Sequence, residues 1–138
     1  MHAVLIVANA DKPFDGALTS DLSSFVRATL TYKGVACIDM CILPDHLHLL
    51  LKVPPEADVF KALETLRYWL QDFVLRHSSQ RPFHWDSRLW LVSKSPADIP
   101  SIEKYFRKQP AYHTFSNIEQ EWADLLDLEE IPEVYCAN

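Results

Sequence analysis

Two histidines stand one residue apart in "CILPDHLHLLLKV", residues 41–53 of a 138-residue chain. If this run is a β-strand, residues two apart share a face. His46 and His48 then project together, while Leu47, Leu49 and Leu51 turn into a core behind them. Paired imidazoles on a rigid strand are half of a metal site, and the rest must come from elsewhere. Cys37 and Cys41 are one source: with the histidines they would make a Cys2His2 zinc site, provided the register puts both thiols on one face. The helix-like "SIEKYFRKQ" is the other. Tyr105 and Gln109 lie four apart, so a helix presents a phenol and an amide oxygen side by side. If that face meets the histidines, the site gains an oxygen ligand and a nucleophile; if not, Tyr105 packs with Ile102 and Phe106.

These residues need elements to position them. "AVLIVA" (3–8) reads as a buried strand. Leu22, Phe25, Val26 and Leu30 recur at helical spacing between Ser20 and Lys33, with Thr19 or Ser20 to cap the start and Gly34 to end the helix. The runs 35–43 and 46–53 flank Pro44-Asp45 and predict an antiparallel hairpin. Val59, Leu63, Leu66, Leu70, Phe73 and Val74 mark a second helix within 56–77. "LWLVS" (89–93) predicts another strand. A third helix should open near Asp98-Ile99-Pro100 and bend or stop at Gln109-Pro110, where the proline ring meets the preceding turn. "SNIE" (116–119) is a capping box for a last helix, with Ile118, Trp122, Leu125 and Leu126 inward. The order predicts an α+β domain: a ferredoxin-like antiparallel sheet with helices packed on one face.

Composition fits a globular chain, with 49% apolar and 12% aromatic residues. No apolar run reaches the roughly 18 residues of a membrane span. The start "MHAVLIVANADKPF" lacks the basic and small-residue marks of a signal peptide, so a cytoplasmic protein is expected. Three cysteines with no export signal then read as reduced thiols. The net charge of −6 discourages phosphate binding, but it is unevenly spread. From Glu119 onward there are seven acids and no base, whereas residues 1–118 carry 13 bases against 12 acids. A basic groove is therefore allowed in the body, expected as a domain over residues 1–127, ahead of an acidic tail at 128–138.

Three blocks taken in order, "PDHLHLLLKVPP" (44–55), "WDSRLWLVSKS" (85–95) and "YFRKQPAYHTFSNIEQEWADLL" (105–126), together with the opening "HAVLIVANADKPF", resemble the small single-tyrosine HUH transposases of insertion sequences. By this resemblance His46, His48 and Gln109 are metal ligands and Tyr105 is the catalytic nucleophile. The family's pair of histidines after the glutamine is here Tyr112-His113, and its Trp-Gln and Gly-Tyr are here Trp85-Asp86 and Arg88-Leu89. The resemblance implies an HUH endonuclease-type fold and a homodimer in which one subunit's tyrosine helix can complete its partner's site. It also implies Mg or Mn, single-stranded DNA with hairpin-bearing ends, and strand cleavage and rejoining through a 5′-phosphotyrosine bond.

DNA contacts are expected from Arg67, Arg76, Arg81, Arg88, Lys94, Lys104, Arg107 and Lys108, with bases stacking on Trp85 or Trp90. Two other functions stay open at this level. One is a non-transposing binder of structured single-stranded nucleic acid; the other is a structural zinc domain.

Overall fold

The computed structural model describes residues 1–8, 11–14, 18–77, 82–113, 117–129 and 134–135. In chain order the elements are β1 (His2–Val7), α1 (Thr19–Tyr32), β2 (Ala36–Leu43), β3 (His46–Lys52), α2 (Val59–His77), β4 (Trp85–Val92), α3 (Ile99–Tyr112), α4 (Ile118–Glu129) and β5 (Val134–Tyr135), with a single 3-10 turn at Pro96–Asp98 before α3. All strand pairs are antiparallel. The sheet order is β2-β3-β1-β4-β5, the split βαβ arrangement of ferredoxin-like folds extended by one edge strand.

β1 is buried along its whole length because it lies mid-sheet and is covered on both sides. Alternation sorts its side chains. Ala3, Leu5 and Val7 join Leu47, Leu49, Leu51 and Leu89 in the core beneath α1 and α2. Val4, Ile6 and Trp90 face the other way, onto Trp122 and Leu125 of α4, while Leu50 meets Ile102 and Phe106 of α3. Helices therefore pack on both faces, not on one as the pattern suggested. The apolar residues of α3 and α4 need a surface of their own, and the even-numbered face of the sheet provides it.

The hairpin is tight. Leu43 pairs with His46 across the two-residue Pro44-Asp45 turn, and that turn is tied to neighbouring chain by Val7 N–H on the Asp45 carbonyl at 2.9 Å and Phe14 N–H on the Pro44 carbonyl at 3.2 Å. Leu47, Leu49 and Leu51 are each at most 1% exposed. Truncating any of them would cost about 2–5 kcal/mol, so the face opposite the histidines holds them in place.

Several boundaries differ from the sequence reading for physical reasons. Leu18, half-buried against the core, is the N-cap residue of α1 and makes no side-chain cap hydrogen bond, while the Thr19 side chain lies outside the described residues. Gly34 does end that helix, at φ +79°, a left-handed conformation that glycine adopts without a Cβ penalty. α2 starts at Val59 because Asp58 caps it, its carboxylate accepting from Lys61 N–H at 3.1 Å. β4 begins at Trp85, four residues early, since pairing with β1 at Val7 overrides the polar local sequence. α3 runs through Pro110 to Tyr112; a proline this near the end costs only the hydrogen bond to one carbonyl. Asn117 caps α4 through its side chain, which accepts from Gln120 N–H at 2.9 Å. Ser116, Arg81, Cys136 and the Leu126 side chain lie outside the described residues. In the tail, β5 pairs with β4 through Arg88↔Tyr135 and Leu89↔Val134.

Candidate active site

β3 brings both imidazoles to the face shared with α3 and α4, where His46 and His48 are 0% exposed. A buried ring needs partners for its nitrogens. His46 Nδ1 stands 2.7 Å from Asp45 Oδ1, so the turn residue that closes the hairpin also orients the ring. His46 Nε2 lies 3.2 Å from Glu121 Oε1, within ion-pair range, but makes no hydrogen bond. His48 Nε2 is 3.1 Å from the same oxygen. A carboxylate only accepts, so this N–H donates, and His48 Nδ1 accepts from His2 Nε2–H at 3.1 Å.

The helical extension past Pro110 matters here. It sets His113 one turn beyond Gln109, where its Nε2 meets Gln109 Oε1 at 2.9 Å and Glu121 Oε1 at 3.2 Å. Tyr105, one turn before Gln109, donates its hydroxyl to Glu121 Oε2 at 2.6 Å, and its ring stands edge-on to His48 with centroids 5.5 Å apart. All of these groups belong to one chain.

Glu121 and His2 were not singled out by sequence. Glu121 was counted only among the seven acids from Glu119 onward, yet it is 1% exposed. The available signal was its place on the inward stripe of α4, three residues after Ile118 and beside Trp122. His2 shares the parity of Val4 and Ile6 on β1, which puts it on the site's face beside His48.

The charges are strongly coupled. Burial alone would lower the pKa of His46, but Asp45 and the adjacent Glu121 outweigh it and hold the pKa above the ordinary value. Burial lowers His48 despite Glu121, and lowers His2 well below normal, helped by His48 and Lys94. For Glu121, burial works upward, yet His46, His48 and Tyr105 hold the carboxyl well below its usual range. Tyr105 is raised by burial first and then by the Glu121 charge, against a hydrogen bond from Gln109. The site thus gathers a neutral phenol and a histidine cluster on one carboxylate.

The donor set fits a divalent cation. A buried imidazole nitrogen without a hydrogen-bond partner, a second imidazole and two side-chain oxygens converge on one place. His46, His113 and Glu121 each offer an atom within 4.8 Å of the others'. The zinc alternative does not assemble. A bulge between Cys37 and Asp39 in the β2–β3 register sends Cys37 to the α1/α2 core and Cys41 to the α3 side. Burial also pushes both thiols up to about 11, whereas zinc binds thiolate.

Residues 1–109 match the family model described as "Transposase IS200 like". The chain belongs to the IS200-like transposase family. The matched segment holds His46, His48, Tyr105 and Gln109 and ends before His113 and Glu121. Two solved structures share the fold. One is a provisionally assigned transposase of Deinococcus radiodurans R1, at TM-score 0.60 and 18% identity, covering 78% of this chain and 88% of that one. The other is a REP-associated tyrosine transposase bound to a REP hairpin, at TM-score 0.62 and 13% identity, covering 83% of this chain and 68% of that one. Comparison with curated proteins finds no match. Among the described residues no helix is long and apolar enough to cross a membrane.

The basic residues expected of this transposase on DNA divide into two groups. Lys104, Arg107 and Lys108 are exposed along one side of α3, and Lys94 is half-buried near His2. Arg67 is 8% exposed, with its guanidinium on the Asp86 carbonyl and over the Trp85 ring. Arg88 is bound by Asp86 and Glu119 at 3.0 and 2.7 Å. Both are engaged by partners within the fold. Arg76 pairs with Asp72 on the surface. Trp85 and Trp90 are buried, so neither presents a face to a base.

Proposed function

We propose that this IS200-like transposase cleaves and rejoins single-stranded DNA with hairpin-bearing ends, using Tyr105 as nucleophile. The observation that carries this reading is the meeting, within one chain, of the Tyr105 hydroxyl with the His46-His48 pair around Glu121. Tyr105 Oη forms a bond to the scissile phosphorus, the bond to the 3′ oxygen breaks, and the product is a 5′-phosphotyrosine plus a free 3′-hydroxyl. The phenol proton passes towards Glu121, which already accepts its hydrogen bond, and the departing 3′ oxygen takes a proton from solvent. Reversal by a second 3′-hydroxyl rejoins strands, so no triphosphate is consumed.

A neutral phenol of raised pKa is a poor nucleophile, and something must offset that. A divalent ion, Mg or Mn, held by His46, His48 and Gln109, would polarise the phosphate and neutralise developing charge. Asp45 fixes His46 with Nε2 turned towards the site; with an ion on His48 Nε2, the His48 Nδ1–H would donate to His2 Nε2, 3.1 Å away, and hold that ring as well. Lys104, Arg107 and Lys108 would follow the backbone outside the site. An open cleft of about 850 Å³, walled by Met1, Leu50, Lys52, Lys94 and Ile99, begins one same-face residue beyond His48 and suits the flanking strand. The homodimer belongs to this reading too.

Incubation of the protein and Mn(II) with hairpin-bearing single-stranded DNA should yield a covalent adduct that survives denaturation and maps to Tyr105. Salt-sensitive binding with no adduct under those conditions would instead favour the non-transposing binder.

A further inference from the structure

Glu121 lies outside the family-matched segment, on a helix that the His/Gln ligand set does not involve. Its burial still asks for an explanation. It is 1% exposed, and a carboxylate is kept that deep only when it is paired. Its Oε1 is approached by three imidazole nitrogens at once, His48 at 3.1 Å and His46 and His113 at 3.2 Å. His46 Nε2 alone of the three makes no hydrogen bond, and a cation shared by it, His48 Nε2 and Oε1 would give it a partner. His113 also meets Gln109 Oε1 at 2.9 Å, so it faces two acceptors and acts as a donor that clamps the two oxygens together.

We propose that Glu121 is a protein ligand of the divalent ion, through Oε1, and that through Oε2 it ties the Tyr105 hydroxyl to that ion. The inference rests on the metal-dependent reading above and adds an anionic ligand to it. Its first consequence is ion choice. The otherwise neutral His/Gln set gains one anionic oxygen, a ligand type that suits Mn and Mg as well as the metals imidazole prefers. Its second is assembly. The metal grip requires α4 to be docked, because Glu121 is held inward by Trp122 and Leu125 on the same stripe.

The test uses the full chain. Glu121→Gln keeps the volume and removes the charge; it should weaken Mn(II) binding, measured by titration of the ion alone, at least about tenfold. Losing a merely orienting group can also cost about 10–100-fold, so a second variant decides. Glu121→Cys loaded with Co(II) should show a thiolate-to-cobalt charge-transfer absorption that is absent from the wild-type protein and lost when His46→Ala is added. If the wild-type protein binds Mn(II) and forms the DNA adduct while Glu121→Gln binds Mn(II) equally well, or Glu121→Cys gives the wild-type Co(II) spectrum, Glu121 is not a ligand and the transposase reading stands. If the wild-type protein neither binds Mn(II) in a His46-dependent way nor forms the adduct, both readings fall.

Discussion

The Tyr105 hydroxyl and the Glu121 carboxylate of the same chain are joined by a 2.6 Å hydrogen bond. That contact aims the proposed nucleophile at the histidine pair before any DNA arrives. Orientation of this kind removes part of the entropic cost of attack. Burial first, and then this neighbouring negative charge, keep the phenol protonated.

Replacing Tyr105 by Phe removes one oxygen and leaves the ring packing intact. The covalent DNA adduct should disappear entirely, while hairpin binding measured by anisotropy stays within about twofold, since phosphate contacts dominate affinity. An adduct that persists in Tyr105→Phe would mean that another residue attacks.

Complementation distinguishes one-chain from shared sites. Each chain holds its own Tyr105 beside its own histidines, so mixing Tyr105→Phe protein with His46→Ala protein should not restore adduct formation. Recovery to a quarter or so of wild-type adduct, the share expected for statistical pairing in a shared-site dimer, would instead require a tyrosine helix that crosses to the partner.

Protons should compete with the ion at His46. Despite burial, Asp45 and Glu121 raise this imidazole's pKa above its ordinary value, and an imidazolium has no lone pair to offer. Below that raised value, each unit fall in pH should weaken Mn(II) binding about tenfold with release of one proton per ion bound; above it the affinity should level off. Titrations from about pH 6 to 9 in two buffers of different ionisation heat measure the proton directly. An affinity constant across that range contradicts the assignment of His46 as a ligand.

The arginines and lysines separate by experiment as they do in space. Changing Lys104, Arg107 and Lys108 together to Ala should lower the slope of log affinity against log salt by about 2, at roughly 0.7 per single-strand phosphate contact. The melting temperature should hardly move, because all three are exposed. Arg67→Ala should do the reverse. It strands the Asp86 carbonyl and opens the packing over Trp85, costing about 1–3 kcal/mol, with an unchanged salt slope.

The alternation of "HLHLLL" already dictates that His46 and His48 share a face and that the leucines anchor them, because a strand's side-chain period is two whatever surrounds it. The pairing of Tyr105 with Gln109 follows as directly from helical geometry. Pro44-Asp45 announces the turn, and Gly34 the end of α1, through backbone preferences that need no tertiary partner. These local rules carry the element order and half of the site.

The remainder depended on packing. Composition counted Glu121 with the run of acids from Glu119 onward, and only the docking of α4 onto Trp90, Val4 and Ile6 turns it inward. A bulge of one residue in β2 separated Cys37 from Cys41. A salt bridge and a carbonyl claimed two arginines that charge alone offered to DNA. Local sequence fixes which side chains lie together on one element, since that follows from covalent geometry. Which elements meet, and whether a charge is buried or solvated, is a balance of burial and desolvation over the whole fold, and that balance brought Glu121 to Tyr105.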